Sequence, residues 1–456
     1  KCERVGREDN FFELGGHSLL AVALIDRMRQ VGLRSSVESL LMAHSFADFV
    51  AGVVAAPANV EAPANLIPPN ANRITPDMVT LVPLSQRDLD RIAAAVSGGA
   101  PNIQDVYPLL PLQEGVLYQH RARAWGDIYI MPTLLSFSSA SKLQTFLGRL
   151  RERIAHHDAL RTLVMWDGLE EPVQVVLRHA DLTVLQLEPH HDASDAVEQL
   201  KGRFDPRYYR FPLDAAPMAR VVVQHDRAHG RWLMLLLVHH LAIDHTTLEV
   251  LLSEIAHKRC EQIDDAPPQL RFRDVVARAR LGTPPVEHEA FFRRMLGDVT
   301  ETAAPFGVTS VLAEDAEINE ALSSLAQALS ARVRTCAQGL GVGVASFMHF
   351  AWALLLARTS GRSDVVFGTV MSLRVGGGAE TARVAGMFIN TLPLRVRFDD
   401  RSVLECLREC HASLTEMIGH GHASLTLAGV CSGVRAPKPL ILALFNYRHS
   451  GAARHV

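Results

Sequence analysis

Seven consecutive apolar residues, Trp232 to Val238, run straight into His239-His240. A strand that is apolar at every position is buried on both faces. The two histidines therefore stand where a buried strand ends. Leu241-Ala242-Ile243-Asp244-His245 follows, and Thr246-Thr247-Leu248-Glu249 then reads as a capping box opening a helix. Two imidazoles and a carboxylate thus converge at a strand end. His240 and Asp244, four apart, have the residue types of a metal site. Core histidines satisfied by backbone partners fit the same residues.

The surrounding chain alternates. Strand-like runs lie at Val173–Leu177, Ala219–Gln224, Trp232–Val238, Val365–Val370 and Leu392–Val396. Helical patterns lie at Lys142–His156, Leu248–Lys258, Ser330–Leu340 and Ser346–Ala357, and Ser85–Val96 is a further helix. Alternation of this kind points to an α/β sandwich. The Asp264–Gln269 run, with two prolines, is a break between two lobes of similar element content. Residues 54–79 carry five prolines among Ala and Asn and read as an extended linker. With 456 residues, about three compact units are expected. The expected boundaries are a first small unit at 1–53, a linker at 54–101, a first lobe at 102–265 and a second at 266–456.

Net charge of −3 argues against a binder held to nucleic acid by phosphate contacts. No apolar stretch approaches 18 residues, so no membrane span is expected. The start, Lys-Cys-Glu-Arg, has neither an initiator Met nor a signal-peptide pattern. The expectation is a piece of a longer cytoplasmic polypeptide, monomeric as a fragment. Six scattered Cys without a CxxC argue against a disulfide framework or zinc ribbon.

In the first unit, Leu20, Leu24, Ile25 and Met28 form one apolar helical face. Val37–Met42 and Phe46–Val53 give two more short amphipathic pieces. Ahead of them stands Asp9-Asn10-Phe11-Phe12-Glu13-Leu14-Gly15-Gly16-His17-Ser18-Leu19. Two glycines permit a tight turn, and Ser18 suits a helix N-cap. The motif is longer than a cap needs. It resembles the attachment site of carrier domains of non-ribosomal peptide synthetases, whose serine hydroxyl receives 4′-phosphopantetheine. A phosphodiester at a helix N-terminus meets free N–H groups and the positive dipole end, which agrees. The resemblance implies Ser18 as the cofactor site, a phosphopantetheinyl transferase as partner, and a first carrier helix lying before residue 1.

The histidine motif resembles the HHxxxDG signature of condensation domains of the same synthetases. Other motifs follow in that family's order: Val106–Leu109 with Pro111–Gly115, His157–Thr162, Phe272–Asp274, Asp364–Thr369, Gly386–Pro393 and Phe445–Ser450. The resemblance implies a small all-α helical carrier bundle followed by an α/β two-lobed chloramphenicol-acetyltransferase-like condensation fold. It implies aminolysis, in which an acceptor amine attacks a donor thioester on a pantetheine arm. His239, His240 and Asp244 form the implied catalytic set, with His240 as active-site histidine, acting as a base or by orienting the amine. His239 and Asp244 take structural parts. Asp244 is expected to pair with Arg161. No metal is expected. The implied partners are upstream and downstream adenylation domains and a downstream acceptor carrier.

The departures are specific. The family glycine after Asp is His245, which tolerates a positive φ better than most residues. His156 replaces an arginine. The chain ends soon after Asn446-Tyr447-Arg448, so the second lobe is expected to lack its last stretch. Stand-alone epimerization domains carry a Glu-Gly-His-Gly-Arg run that is absent here. Dual epimerization/condensation domains carry an HH[I/L]xxxxGD pattern. Gln119 to Asp127 has its spacing and keeps His120, Gly126 and Asp127, while Gln119 and Arg121 depart. The dual subtype is the expectation and an ordinary condensation domain the runner-up. A catalytically silent recruitment platform, which often loses the second histidine, and a free-standing acyltransferase, which would have no carrier, fit less well.

Overall fold

The computed structural model describes residues 5–16, 20–21, 24–25, 27–28, 33–35, 37–55, 62–188, 195–256, 270–309, 319–376, 384–435 and 437–448. Ser18, the Asp264–Gln269 break and His449–Ser450 lie outside them. Two compact units emerge. One holds residues 60–282 and 380–388, the other 1–59, 283–379 and 389–456.

In the first small unit, described residues 20, 21, 24, 25, 27 and 28 are helical, and Ala21 and Ile25 are buried. Helices α1 (Val37–Met42) and α2 (Phe46–Ala51) follow, α2 capped by Ser45, whose hydroxyl accepts the Asp48 N–H. Ala21, Ile25, Leu40, Leu41 and Phe49 close a small core with Phe12. Asn10 pins the Phe-Phe turn by donating to the carbonyls of Ala43 and His44, 3.2 Å each.

The first lobe is richer. Helix α3 (Gln86–Ala95) opens on a Ser85–Asp88 capping box. Strand β1 (Ile103–Pro108), helix α4 (Pro111–Ala122), strand β2 (Ile130–Phe137) and helix α5 (Ala140–His156) come next. Then follow β3 (Thr162–Met165), β4 (Val173–Leu177), β5 (Thr183–Leu187), β6 (Ala219–Asp226) and β7 (Arg231–His239). Helices α6 (His245–Ala256) and α7 (Phe272–Leu281) follow, and a short helix at Ala196–Arg203 lies between β5 and β6. One antiparallel sheet runs β1-β4-β3 and a second runs β2-β7-β6-β5, with β5 and β6 parallel. β7 lies between β2 and β6, and Leu233 to Val238 are all buried, as a strand apolar on both faces must be.

Two expected boundaries move. The expected linker, 54–101, is packed structure over its described residues 62–101. Ile67, Ile74, Val79, Val82, Leu84, Leu89, Ile92 and Val96 share one core with Val106, Leu163 and Val175. The prolines punctuate the segment, but its widely spaced aliphatic residues give it burial that a solvated linker lacks. The lobe boundary lies near Gly282 rather than 265, and 384–388 joins the first lobe. Helix α7 belongs there because Phe272, Val275 and Val276 are buried and Arg273 pairs with Asp105 of β1 at 2.6 Å.

The second lobe carries α8 (Pro285–Leu296), α9 (Gln327–Gly339), α10 (Val344–Ser360), β8 (Asp364–Ser372), β9 (Ile389–Arg397), α11 (Val403–Gly419), α12 (Leu425–Cys431) and β10 (Leu444–Phe445). Its sheet runs β9-β8-β10, antiparallel then parallel. The carrier packs within the same unit: Ile418 of α11 rests on the carrier core, and Phe12 meets His411 edge-on at 5.2 Å. Among the described residues no single helix is long and apolar enough to cross a membrane.

Candidate active site

Strand β7 delivers the two histidines to different fates. His239 is fully buried. Its Nε2 lies 3.0 Å from Asp127 Oδ2, and its Nδ1 accepts the Leu241 N–H at 3.1 Å. A backbone N–H can only donate, so Nδ1 is the bare nitrogen and Nε2 carries the proton. The chain then turns over. His240 is half-buried, its N–H donates to the Tyr129 carbonyl at 2.8 Å, and its Nδ1 is buried without a hydrogen-bond partner. An orphaned buried nitrogen on a side chain is uncommon in a settled core. Burial pushes the His240 imidazole down from its ordinary range, against the pull of its own carbonyl and Asp244. The ring is therefore neutral near pH 7, the form a base requires.

Asp244 is buried and caps α6. Its Oδ1 accepts the Thr247 N–H at 2.7 Å and its Oδ2 the Phe388 N–H at 3.1 Å. The capping residue is thus Asp244 itself, two positions before the expected Thr246. His245 begins the helix and is exposed, so the backbone there is right-handed and requires no glycine. Arg161 is not Asp244's partner. It binds Asp158 at 2.8 Å, Gln104 at 3.0 Å and the carbonyls of Leu177 and Arg178. The reason is local: Asp158 lies one 3₁₀ turn before Arg161, whereas Asp244 already receives backbone donors.

The segment 384–388 is stitched to this corner. Thr247 Oγ1 donates to the Gly386 carbonyl at 2.8 Å, and the Asp244 N–H to the same oxygen at 3.1 Å. A Cβ on Gly386 would lie 2.2 Å from the Phe272 ring, so only glycine fits. Gln113 of α4 is wholly buried and donates to the Leu241 carbonyl at 2.8 Å, bracing the turn after His240. Gln113 and Gly386 lie inside motifs of the sequence, but spacing alone assigns neither a role. Gln113 carried a signal, since it stands three residues after Leu110, where its Oε1 accepts the Leu110 N–H.

His120, Gly126 and Asp127 come together with His239. His120 Nδ1 lies 2.7 Å from the same Asp127 oxygen. Burial raises the Asp127 pKa, but the hydrogen bonds from His120 and His239 outweigh it and hold the carboxyl well below the usual range. These three residues have metal-ligand types, all buried. The proton on His239 Nε2 faces the carboxylate, which is a hydrogen bond rather than a ligand geometry.

In the carrier, Gly15 has φ +86°, and a Cβ on Gly16 would lie 2.3 Å from the Phe11 carbonyl oxygen. Both positions demand glycine. His288 and His420, and Ser346 and His411, form further pairs in the second lobe, at 2.8 Å each.

The carrier region, residues 1–53, matches the phosphopantetheine attachment site family, and residues 103–447 match the condensation domain family. Malpibaldin synthetase of Mortierella alpina is 42% identical over 99% of this chain, and malpinin synthetase of the same organism 41% over 99%. The chain spans only 8% and 6% of those two relatives. Among solved structures, a four-domain non-ribosomal peptide synthetase superposes with TM-score 0.62 at 14% identity, covering 76% of this chain and 27% of that one. The condensation domain of a monacolin K polyketide synthase gives 0.57 at 19% identity, covering 75% and 81%. The α/β lobes thus have the condensation-domain fold, the carrier region takes a covalent 4′-phosphopantetheine, and the chain belongs to the condensation-domain family of non-ribosomal peptide synthetases.

Proposed function

We propose that this chain transfers a carrier-tethered acyl or peptidyl group to the amine of an acceptor aminoacyl group, after epimerizing the donor residue. The observation that carries the reading is His240: a neutral imidazole, held by its backbone at the end of a buried strand, with a buried Nδ1 that no partner claims. Ser18 would hold the pantetheine arm, which would supply the donor as a thioester, and the thioester's carbon–sulfur bond is exchanged for a carbon–nitrogen bond. His240 accepts the proton that the acceptor amine loses and returns it to the departing sulfur, so charge balances. Asp244, Gly386 and Gln113 keep the turn after His240 in one shape. Holding both reactants in place supplies much of the rate. Epimerization needs the same neutral His240 to take the donor's α-proton, with a proton returned to the opposite face. Retention of His120, Gly126 and Asp127 beside His239 supports that step.

Upstream and downstream adenylation domains would load the donor and acceptor carriers, and a phosphopantetheinyl transferase would modify Ser18, in the cytoplasm. Two measurements test the reading. Intact mass after incubation with coenzyme A and a broad-specificity transferase should show one pantetheine on the wild type and none on Ser18→Ala. An L-aminoacyl group loaded on Ser18, quenched, hydrolysed and resolved over time should accumulate the D form. Pure L retention with intact peptide-bond formation leaves an ordinary condensation domain.

A further inference from the structure

One carboxylate organises the ground beneath His240. The side chain of Asp127 is 1% exposed. Its Oδ2 lies 2.7 Å from His120 Nδ1 and 3.0 Å from His239 Nε2, and its Oδ1 accepts the Tyr129 N–H at 3.1 Å. The Tyr129 carbonyl in turn accepts the His240 N–H at 2.8 Å. Asp127 therefore reaches His240 by two routes, through the ring of its neighbour and through the strand edge that holds its backbone.

The loop is built to place that carboxylate. Gly126 has φ +69°, and a Cβ there would lie 2.2 Å from the Arg207 carbonyl oxygen. No other residue fits so close to another backbone. The Asp127 N–H donates to the Pro206 carbonyl at 2.7 Å. Arg210 ties down the preceding helix end, donating to the carbonyls of Arg123 at 2.6 Å and His120 at 2.9 Å. A buried carboxylate costs stability unless donors surround it, and here three converge on it.

We infer that Asp127 is a positioning residue for His240. It locks His239 as the Nε2–H tautomer and His120 as the Nδ1–H tautomer, and it fixes Tyr129 as the acceptor for the His240 backbone. The inference rests on the reading of His240 as the reacting imidazole. An asparagine at 127 has the same shape but offers one carbonyl oxygen and an NH₂ group. With its oxygen in the place of Oδ2 it still accepts from both imidazoles but turns its NH₂ toward the Tyr129 N–H, and flipped it turns the NH₂ toward both rings. In the flipped case His239 cannot answer by moving its proton to Nδ1, because the Leu241 N–H already points there. Either the ring or the Tyr129 backbone must shift.

The test uses the 456-residue chain labelled with ¹⁵N-histidine. Long-range ¹H–¹⁵N spectra of the wild type should place a proton on His239 Nε2 and not on its Nδ1, and a proton on His120 Nδ1. A wild type that lacks the proton at either position overturns the inference, whatever the activity. Asp127→Asn should shift the His239 ring signals or, through Tyr129, the His240 backbone amide. With an L-alanyl donor loaded on the carrier and glycyl-N-acetylcysteamine as acceptor, kcat should fall on the order of 10²-fold while KM for the acceptor stays constant, as expected for misplacement. Asp127→Asn with the wild-type kcat overturns the inference and leaves the proposed transfer standing. A wild-type chain that forms no dipeptide overturns both. Uptake of one Zn²⁺ by the wild type and none by Asp127→Asn would make the cluster a metal site and overturn the inference as well.

Discussion

His240 in the first lobe is half-buried and His349 in the second is buried, and their surroundings differ. His349, on α10, donates from Nδ1 to the Ala345 carbonyl at 2.7 Å and accepts the Thr369 hydroxyl at Nε2, 2.6 Å away. Both of its nitrogens are used. His240 leaves Nδ1 buried and unclaimed. Burial lowers both pKa values, so both rings are neutral near pH 7. Titration does not separate the two; hydrogen-bond satisfaction does. A saturated imidazole ties α10 to β8 and has no capacity left for chemistry. An unsaturated one at a strand end keeps it, at a cost in stability.

The strongest way to break this contrast is His240→Ala. Transfer should fall by about 10²–10⁴-fold with little change in the unfolding midpoint, as for loss of a general base. Single-turnover peptide-bond formation beside a denaturant curve checks it. A variant that keeps wild-type turnover would place the chemistry elsewhere.

Core truncations sharpen the contrast from the other side. Leu237 of β7 and Leu394 of β9 are both wholly buried. Leu237→Ala and Leu394→Ala should each cost about 2–5 kcal/mol in urea unfolding. Each sheet should prove necessary, whichever lobe bears the reacting histidine.

Smaller effects should follow from polar groups. Asp244→Ala strips the acceptor from the Thr247 and Phe388 N–H groups and should cost about 1–3 kcal/mol. Unchanged melting with abolished transfer would instead make Asp244 chemical. Thr369→Val, which leaves His349 Nε2 without its donor, should cost about 1 kcal/mol and leave the transfer rate untouched.

The gentlest test is pH. Burial, with His156, Arg153 and Arg161 nearby, pushes His157 down to about 3. Its folded pKa lies below the unfolded one, so the unfolded chain binds the proton first. Stability from this group is full above about pH 6.5 and is lost as pH falls toward 3. Unfolding midpoints should decline between pH 7 and 5, less so in His157→Phe. The acid limb of kcat/KM should lie below pH 6.5, because His240 stays neutral there.

The sequence determined the elements and the motifs. Alternating apolar runs placed the strands near Val173–Leu177, Ala219–Asp226 and Arg231–His239, because periodicity and burial are local properties. His239, His240, Asp244, His120 and Asp127 were each legible as candidates from spacing and from resemblance to a family. Tertiary structure alone decided their partners. Asp127 meets His239 across 112 positions and Asp244 meets Phe388 across 144, separations over which no residue pattern specifies a contact. Arg161 shows the converse, since a carboxylate three positions away won over the distant one. The proline-rich 62–101 stretch became core because separated Ile, Val and Leu side chains found a common pocket. Composition counts residues; only folding decides which of them leave water together.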